Sequence, residues 1–264
     1  MKERLDAALV RRGFFSGRDR AVMHIKKGLV LVNGKYAEKP GLRVEEEDVL
    51  EVMENLVPFV SRGGLKLEHA ISAFNIGVQK KKCVDVGAST GGFTQCLLSH
   101  GAAAVLAVDT GRDQLADVLR EDERVEVLER TDIRALPGTY DGIFDLCTVD
   151  VSFISLSLVL PRCERLIGPY GRIVCLFKPQ FEAGRENIGK KGIVRDPAVH
   201  RKLLADFLSR HENGPLYVIG GCPSPIRGGD GNVEYLFCLS KLGPAAALDP
   251  AELVREAFGK EEKA

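Results

Sequence analysis

The residues best placed to do chemistry sit where apolar runs stop. Val84-Asp85-Val86 leads into Gly87-Ala88-Ser89-Thr90-Gly91-Gly92-Phe93-Thr94, and Asp109 closes the run that begins at Ala103, 24 residues after Asp85. A buried strand, a Gly-rich turn opening a helix and an acid at the end of the next strand make the first half of a nucleotide-cofactor site. A dinucleotide site needs a middle Gly so that the backbone can approach a pyrophosphate; here Ser89 holds that position. Hydroxyls at Ser89 and Thr90 suit a cofactor without a pyrophosphate, S-adenosylmethionine. Asp85, Gly87, Ala88, Ser89, Thr90, Gly91, Gly92 and Phe93 would build its turn, and Asp109 would accept from the ribose hydroxyls. A tight strand-to-helix turn without a ligand, or a nicotinamide enzyme that accommodates Ser89, are the alternatives.

Two further polar residues end apolar runs. Asp150 follows Leu146-Cys147-Thr148-Val149, and Lys178 follows Ile173-Val174-Cys175-Leu176-Phe177. Pro179 holds Lys178 extended and so fixes its direction. Ligands of an open parallel sheet sit beyond the carboxyl ends of its strands, which makes a Lys178/Asp150 pair at such a site the expectation, with Asp150 also touching the cofactor. Asp132, after Arg130-Thr131, is expected at the adenine edge, and a helix cap is the alternative.

These residues require a scaffold of alternating strands and helices. The pattern predicts strands over 83–87, 103–109, 125–129, 143–150 and 172–177, and helices over 92–100, 114–120 and 155–166. It then predicts a helix over 197–211 and two strands, 216–220 and 233–239, forming a hairpin at the sheet edge. The fold class is α/β, a doubly wound and mostly parallel sheet. Ahead of it, helices over 2–12 and 18–27, a strand over 29–32, an Asn33-Gly34 turn and a strand over 48–53 make a small α+β unit. Residues 243–264 read as a charged terminal helix.

Composition narrows the setting. The 264 residues are 45% hydrophobic and 28% charged with a net charge of zero, ordinary values for a globular chain. The zero conceals a segment, residues 1–43, with eleven Lys or Arg against four acids, the electrostatic footprint of a nucleic-acid partner. Its candidate contacts are Arg4, Arg18, Arg20, Lys26 and Lys27. The seven cysteines form no C-x-x-C pair and the five histidines are scattered, so buried free thiols in a reducing compartment are expected and a metal site is not. No apolar run approaches the ~18 residues of a membrane span, and the start has no signal-peptide pattern; a soluble cytoplasmic protein is expected.

The small unit resembles the S-four-like RNA-binding module through Arg4-Leu5-Asp6, Ile25-x-x-Gly28-x-Val30-x-Val32-Asn33-Gly34, Lys39-Pro40-Gly41 and Asp48. Ser61-Arg62-Gly63-Gly64-Leu65-Lys66-Leu67, the Asp85–Thr94 turn, Asp150-Val151-Ser152-Phe153-Ile154-Ser155-Leu156, Lys178-Pro179-Gln180-Phe181-Glu182 and Gly231-Asn232-Val233-Glu234-Tyr235 together resemble the TlyA family over residues 1 to about 240. That resemblance implies an S-four-like domain (1–56), a linker (57–62), a Rossmann-like, FtsJ-like methyltransferase domain (63–242) and a terminal tail (243–264). It also implies ribose 2′-O-methylation of ribosomal RNA, on cytidine, with ribosomal RNA or subunits as partner. Lys66, Asp150, Lys178 and Glu234 would be the family's Lys-Asp-Lys-Glu tetrad, with Lys178 as base. Arg62 and a glycine-interspersed basic loop, Arg185, Lys190, Lys191 and Arg195, join the expected RNA contacts. A non-catalytic RNA-binding or ribosome-assembly factor is the alternative. Family members often carry a haemolysin label, but a membrane-lytic role is disfavoured by the neutral charge and the lack of a spanning or large amphipathic stretch.

Overall fold

The structure, a computed structural model, describes residues 2–15, 17–26, 28–37, 39–52, 59–184, 188–189, 192–228 and 231–259. It divides into two compact units, Met1–Arg62 and Gly63–Lys260.

The first unit contains β1 (Glu3–Arg4), α1 (Leu5–Arg11), α2 (Arg18–Lys26), β2 (Val30–Val32), β3 (Lys35–Tyr36), β4 (Arg43–Val44) and β5 (Leu50–Val52). Asn33 and Gly34 have φ of 52° and 74°, the left-handed pair that a two-residue hairpin turn demands, and they set the Val32–Lys35 register. Leu5, Leu9, Ala21, Ile25, Val30 and Val44 form the core. The β1/β4 pairing is too short to leave a sequence period. Asp6, 2% exposed, accepts from Arg4 Nε at 3.0 Å, Arg18 Nη2 at 2.9 Å and the Ala7 amide at 2.9 Å. Two of the expected RNA contacts, Arg4 and Arg18, therefore also hold this unit together.

The second unit opens with α3 (Gly63–Ala73), which the sequence reading left without an element; Leu67, Ala70 and Ile71 are its buried face. Then follow β6 (Lys82–Val86), α4 (Gly92–Ser99), β7 (Ala104–Val108), α5 (Asp117–Arg120), β8 (Val125–Leu128), β9 (Phe144–Val149), α6 (Leu156–Leu166), β10 (Ile167–Phe177), α7 (Pro179–Glu182), α8 (Pro197–Arg210), β11 (Tyr217–Pro223), β12 (Tyr235–Ser240) and α9 (Pro250–Gly259). The sheet order is β11-β12-β10-β9-β6-β7-β8. All pairings are parallel except those of β12, which runs antiparallel to both β10 and β11.

Several boundaries differ from the expectation for identifiable reasons. α5 begins three residues late because the amides of Asp113, Gln114 and Leu115 donate to the Glu129 carboxylate instead of to a helix. β10 starts earlier, at Ile167, through a register irregularity before Arg172. Among the described residues of the terminal segment the helix is α9, which buries Leu253 and Val254 and packs on α8 and β11.

Candidate active site

Sheet register brings the tetrad together. β9 and β10 are parallel neighbours with Val149 opposite Cys175, so Asp150 and Lys178 leave the same edge of the sheet. Lys178 Nζ lies 2.6 Å from Asp150 Oδ1 and donates to Ser152 Oγ at 3.0 Å. β12 runs the other way and starts with Tyr235 opposite Phe177, so its beginning meets the ends of its neighbours and Glu234 arrives beside Lys178. Glu234 Oε2 accepts from Lys66 Nζ of α3 at 2.5 Å. Lys66, Lys178 and Glu234 are 8%, 9% and 3% exposed. Burying ion pairs is a poor route to stability, and charges gathered at the rim of a cavity mark functional sites. All four residues line one cavity of about 690 Å³, together with Ser152, Phe181, Ile188 and Gly192.

A second cavity, of about 550 Å³, is lined by Gly87, Ser89, Asp109, Gln114, Asp132 and Asp150 among others. Asp150, Ser152, Phe153 and Ile154 line both cavities. Gly87 sits at φ +83°, and a Cβ there would lie 2.6 Å from the carbonyl oxygen of Asp150; only glycine lets the turn lie against that strand end. Asp109 Oδ2 accepts the Ser89 amide at 2.8 Å and Oδ1 the Gly111 amide at 2.6 Å. A carboxylate has about four acceptor sites, which leaves two for a ribose diol. Asp150 Oδ1 is buried and takes no aligned hydrogen bond among the described residues. These features fit the cofactor expected from the sequence.

Other expected contacts occupy different places. Asp85 is fully buried and accepts from Thr94 Oγ1 at 2.7 Å and Thr148 Oγ1 at 2.9 Å; loss of water pushes its carboxyl up to about 6. It pins the turn from behind. Gly91, at φ +95°, precedes the first residue of α4, and Phe93 is buried; with Ala88, Thr90 and Gly92 they shape the turn without lining the cavity. Asp132 lines the cavity but caps the short turn Ile133–Ala135, accepting the Arg134 amide at 2.9 Å, while the Arg134 guanidinium grips its carboxylate and lowers its pKa. Asp132 thus caps this turn while lining the cavity where the cofactor is expected.

Three residues carry roles the sequence reading did not give them, although their motifs were visible. Ser152 receives the Lys178 ammonium. Glu182 accepts from Ser155 Oγ at 2.6 Å and from the Leu156 amide at 2.8 Å. Phe153 has φ +65° and is 91% exposed, with its ring 5.2 Å from that of Phe181; Lys178 Nζ lies 5.8 Å from the Phe181 centroid. The left-handed region is strained for a bulky residue, and such strain clusters at binding and active sites. Of the expected RNA contacts, Arg20, Lys26 and Arg195 are exposed and Arg62 is half-buried. Lys27, Arg185, Lys190 and Lys191 lie outside the described residues.

A doubly wound sheet with a Gly-rich turn and Asp109 in one cavity and a Lys-Asp-Lys-Glu set in the next defines an S-adenosylmethionine-dependent methyltransferase. The chain belongs to the FtsJ-like methyltransferase family, whose pattern matches residues 59–241, in the TlyA group that also carries an S4 domain, matched over residues 3–50. It is 48% identical over 240 residues to YqxC of Bacillus subtilis, named as a candidate rRNA methyltransferase, covering 90% of this chain and 85% of the relative. It is 43% identical over 240 residues to the 16S/23S rRNA (cytidine-2′-O)-methyltransferase TlyA of Mycobacterium tuberculosis, covering 90% of each. A solved structure of a hemolysin candidate from Streptococcus thermophilus superposes with a TM-score of 0.77 at 40% identity, over 100% of this chain and 99% of that one.

Proposed function

We propose that the protein methylates the ribose 2′-hydroxyl of a cytidine in ribosomal RNA, with the cytoplasm as its location. The observation that carries this reading is the shared wall: Asp150 and Ser152 line both the cavity with the cofactor turn and the cavity with Lys66, Lys178 and Glu234. A reaction between two ligands needs such an arrangement, because alignment alone contributes a large share of the rate. No helix among the described residues is long and apolar enough to cross a membrane.

S-adenosylmethionine, when bound, supplies a methyl group already activated by its positive sulfur. The chain must then align the hydroxyl and remove its proton. In its amine form Lys178 Nζ accepts that proton, and Asp150 Oδ1, 2.6 Å away, steadies the ammonium that forms. Ser152 Oγ fixes the direction of Nζ. Lys66 pairs with Glu234, so that buried carboxylate keeps its cation beside the substrate ribose. Phe153, raised on the lip between the cavities, offers a flat apolar face to a nucleobase, and base–aromatic stacking contributes about 1–3 kcal/mol.

Transfer of labelled methyl to purified, unmodified small and large ribosomal subunits tests the reading. Label recovered as 2′-O-methylcytidine supports it. Cofactor binding without label in either subunit would instead favour the RNA-binding or assembly-factor alternative.

A further inference from the structure

A metal is not expected from the sequence, because no C-x-x-C pair is present and no two histidines share a ligand spacing. A mixed set escapes that count. Cys96 and His100 are four residues apart, which places them on one face of α4 and its carboxyl end, and Glu68 projects from α3, which packs on α4. His100 Nε2 lies 2.7 Å from Glu68 Oε2, and Cys96 Sγ lies 3.6 Å from the same oxygen. All three candidate ligand atoms are within 4.8 Å of one another. Cys96 is fully buried, whereas the Glu68 and His100 side chains are 47% and 31% exposed. The cluster has a dry floor and an open mouth.

We propose that Glu68, Cys96 and His100 form a zinc site with water as the fourth ligand, fastening α3, which carries Lys66, to α4, which opens from the cofactor turn. Zinc bond lengths of about 2.0–2.3 Å in a tetrahedron put ligand atoms about 3.3–3.6 Å apart. The Cys96–Glu68 separation already matches, and the His100 ring must withdraw from Glu68 by about 0.7 Å. Zinc takes the place of the hydrogens shared with Glu68: the Cys96 thiol proton leaves to solvent and the imidazole proton moves to Nδ1. One thiolate and one carboxylate then balance the ion's charge. Thiolate and imidazole with a single carboxylate favour zinc over magnesium or calcium, which take oxygen ligands. The site is separate from the tetrad, so its role is to hold the two helices and not to activate a substrate.

The test uses the full chain, stripped with a chelator and titrated with zinc against a chromophoric competitor. One equivalent is expected, weakened about a hundredfold or more by Cys96→Ser or His100→Ala, since loss of even an outer-shell partner costs about 10–100-fold. Glu68→Gln is expected to weaken binding about tenfold. Cys222→Ser, at the half-buried cysteine, should change nothing. Cobalt(II) on the wild-type chain should give a thiolate charge-transfer band, which decides the matter if the Cys96 variant fails to fold. Wild-type zinc binding no tighter than that of Cys96→Ser, loss of binding in Cys222→Ser, or cobalt without the band would overturn the proposal.

Discussion

Glu182, four residues beyond Lys178, accepts the backbone amide of Leu156, six residues beyond Asp150, at 2.8 Å. With its bond to Ser155 Oγ, this fastens the segment leaving β10 to the segment leaving β9, and so holds the two reacting side chains of the proposed mechanism in register. Glu182→Ala is expected to lower kcat about 10-fold or more while leaving the cofactor Kd within about twofold, because small misplacements of catalytic groups are expensive. Glu182→Gln keeps an acceptor for Leu156 and should recover much of the loss. An equal fall in cofactor affinity would show a general loss of structure instead.

Lys178→Ala should reduce methyl transfer by about 10²–10⁴, the usual contribution of a general base, with cofactor binding retained. Equilibrium binding alongside single-turnover transfer makes the comparison; ordinary turnover would remove Lys178 from the mechanism.

The Lys66–Glu234 pair separates stability from activity. Lys66→Met leaves the Glu234 carboxylate, 3% exposed, without its cation, and breaking a buried pair costs about 3–5 kcal/mol. The double variant Lys66→Met, Glu234→Leu should recover most of that stability in urea unfolding yet remain inactive.

Gly87→Ala should abolish cofactor binding. The new Cβ would lie 2.6 Å from the Asp150 carbonyl oxygen, and the left-handed backbone adds about 1–2 kcal/mol. Calorimetric titration with the cofactor measures it; wild-type affinity would show that the turn tolerates a shift of Asp150.

The amino-terminal unit should weaken in acid. Hydrogen bonding from Arg4 and then Arg18 lowers the Asp6 carboxyl from 3.8 to about 2. Its folded value is below its unfolded value, so its stabilisation is complete above about pH 4 and fades as pH falls toward 2. Hydrogen exchange of α1 amides across that window should show the loss in the wild type and a flat profile in Asp6→Asn.

The cofactor turn and the Lys178/Asp150 pair were legible because apolar runs with polar ends need no long-range information in a parallel sheet. Lys66 and Glu234 needed family resemblance: one lies on a helix whose Gly63-Gly64 start masks its period, the other precedes an antiparallel strand whose near end faces the site. Asp132 both lines the cofactor-side cavity and caps a turn, and in sequence an acid at a strand end and an acid capping a turn look alike. The roles of Glu182 and Ser152 depend on which loop meets which, and only the folded chain contains that.

The sheet is not built in the order in which the chain is made. β12 follows β11 in sequence but lies between β11 and β10. On a growing chain, β11 has no neighbour to pair with until β12 is available, and the exposed edge of β10 waits as well. Lys66, Asp150 and Lys178 leave the exit tunnel long before Glu234. A molecule still being synthesised can therefore close its cofactor turn early, yet the Lys66–Glu234 pair forms only with this late strand insertion.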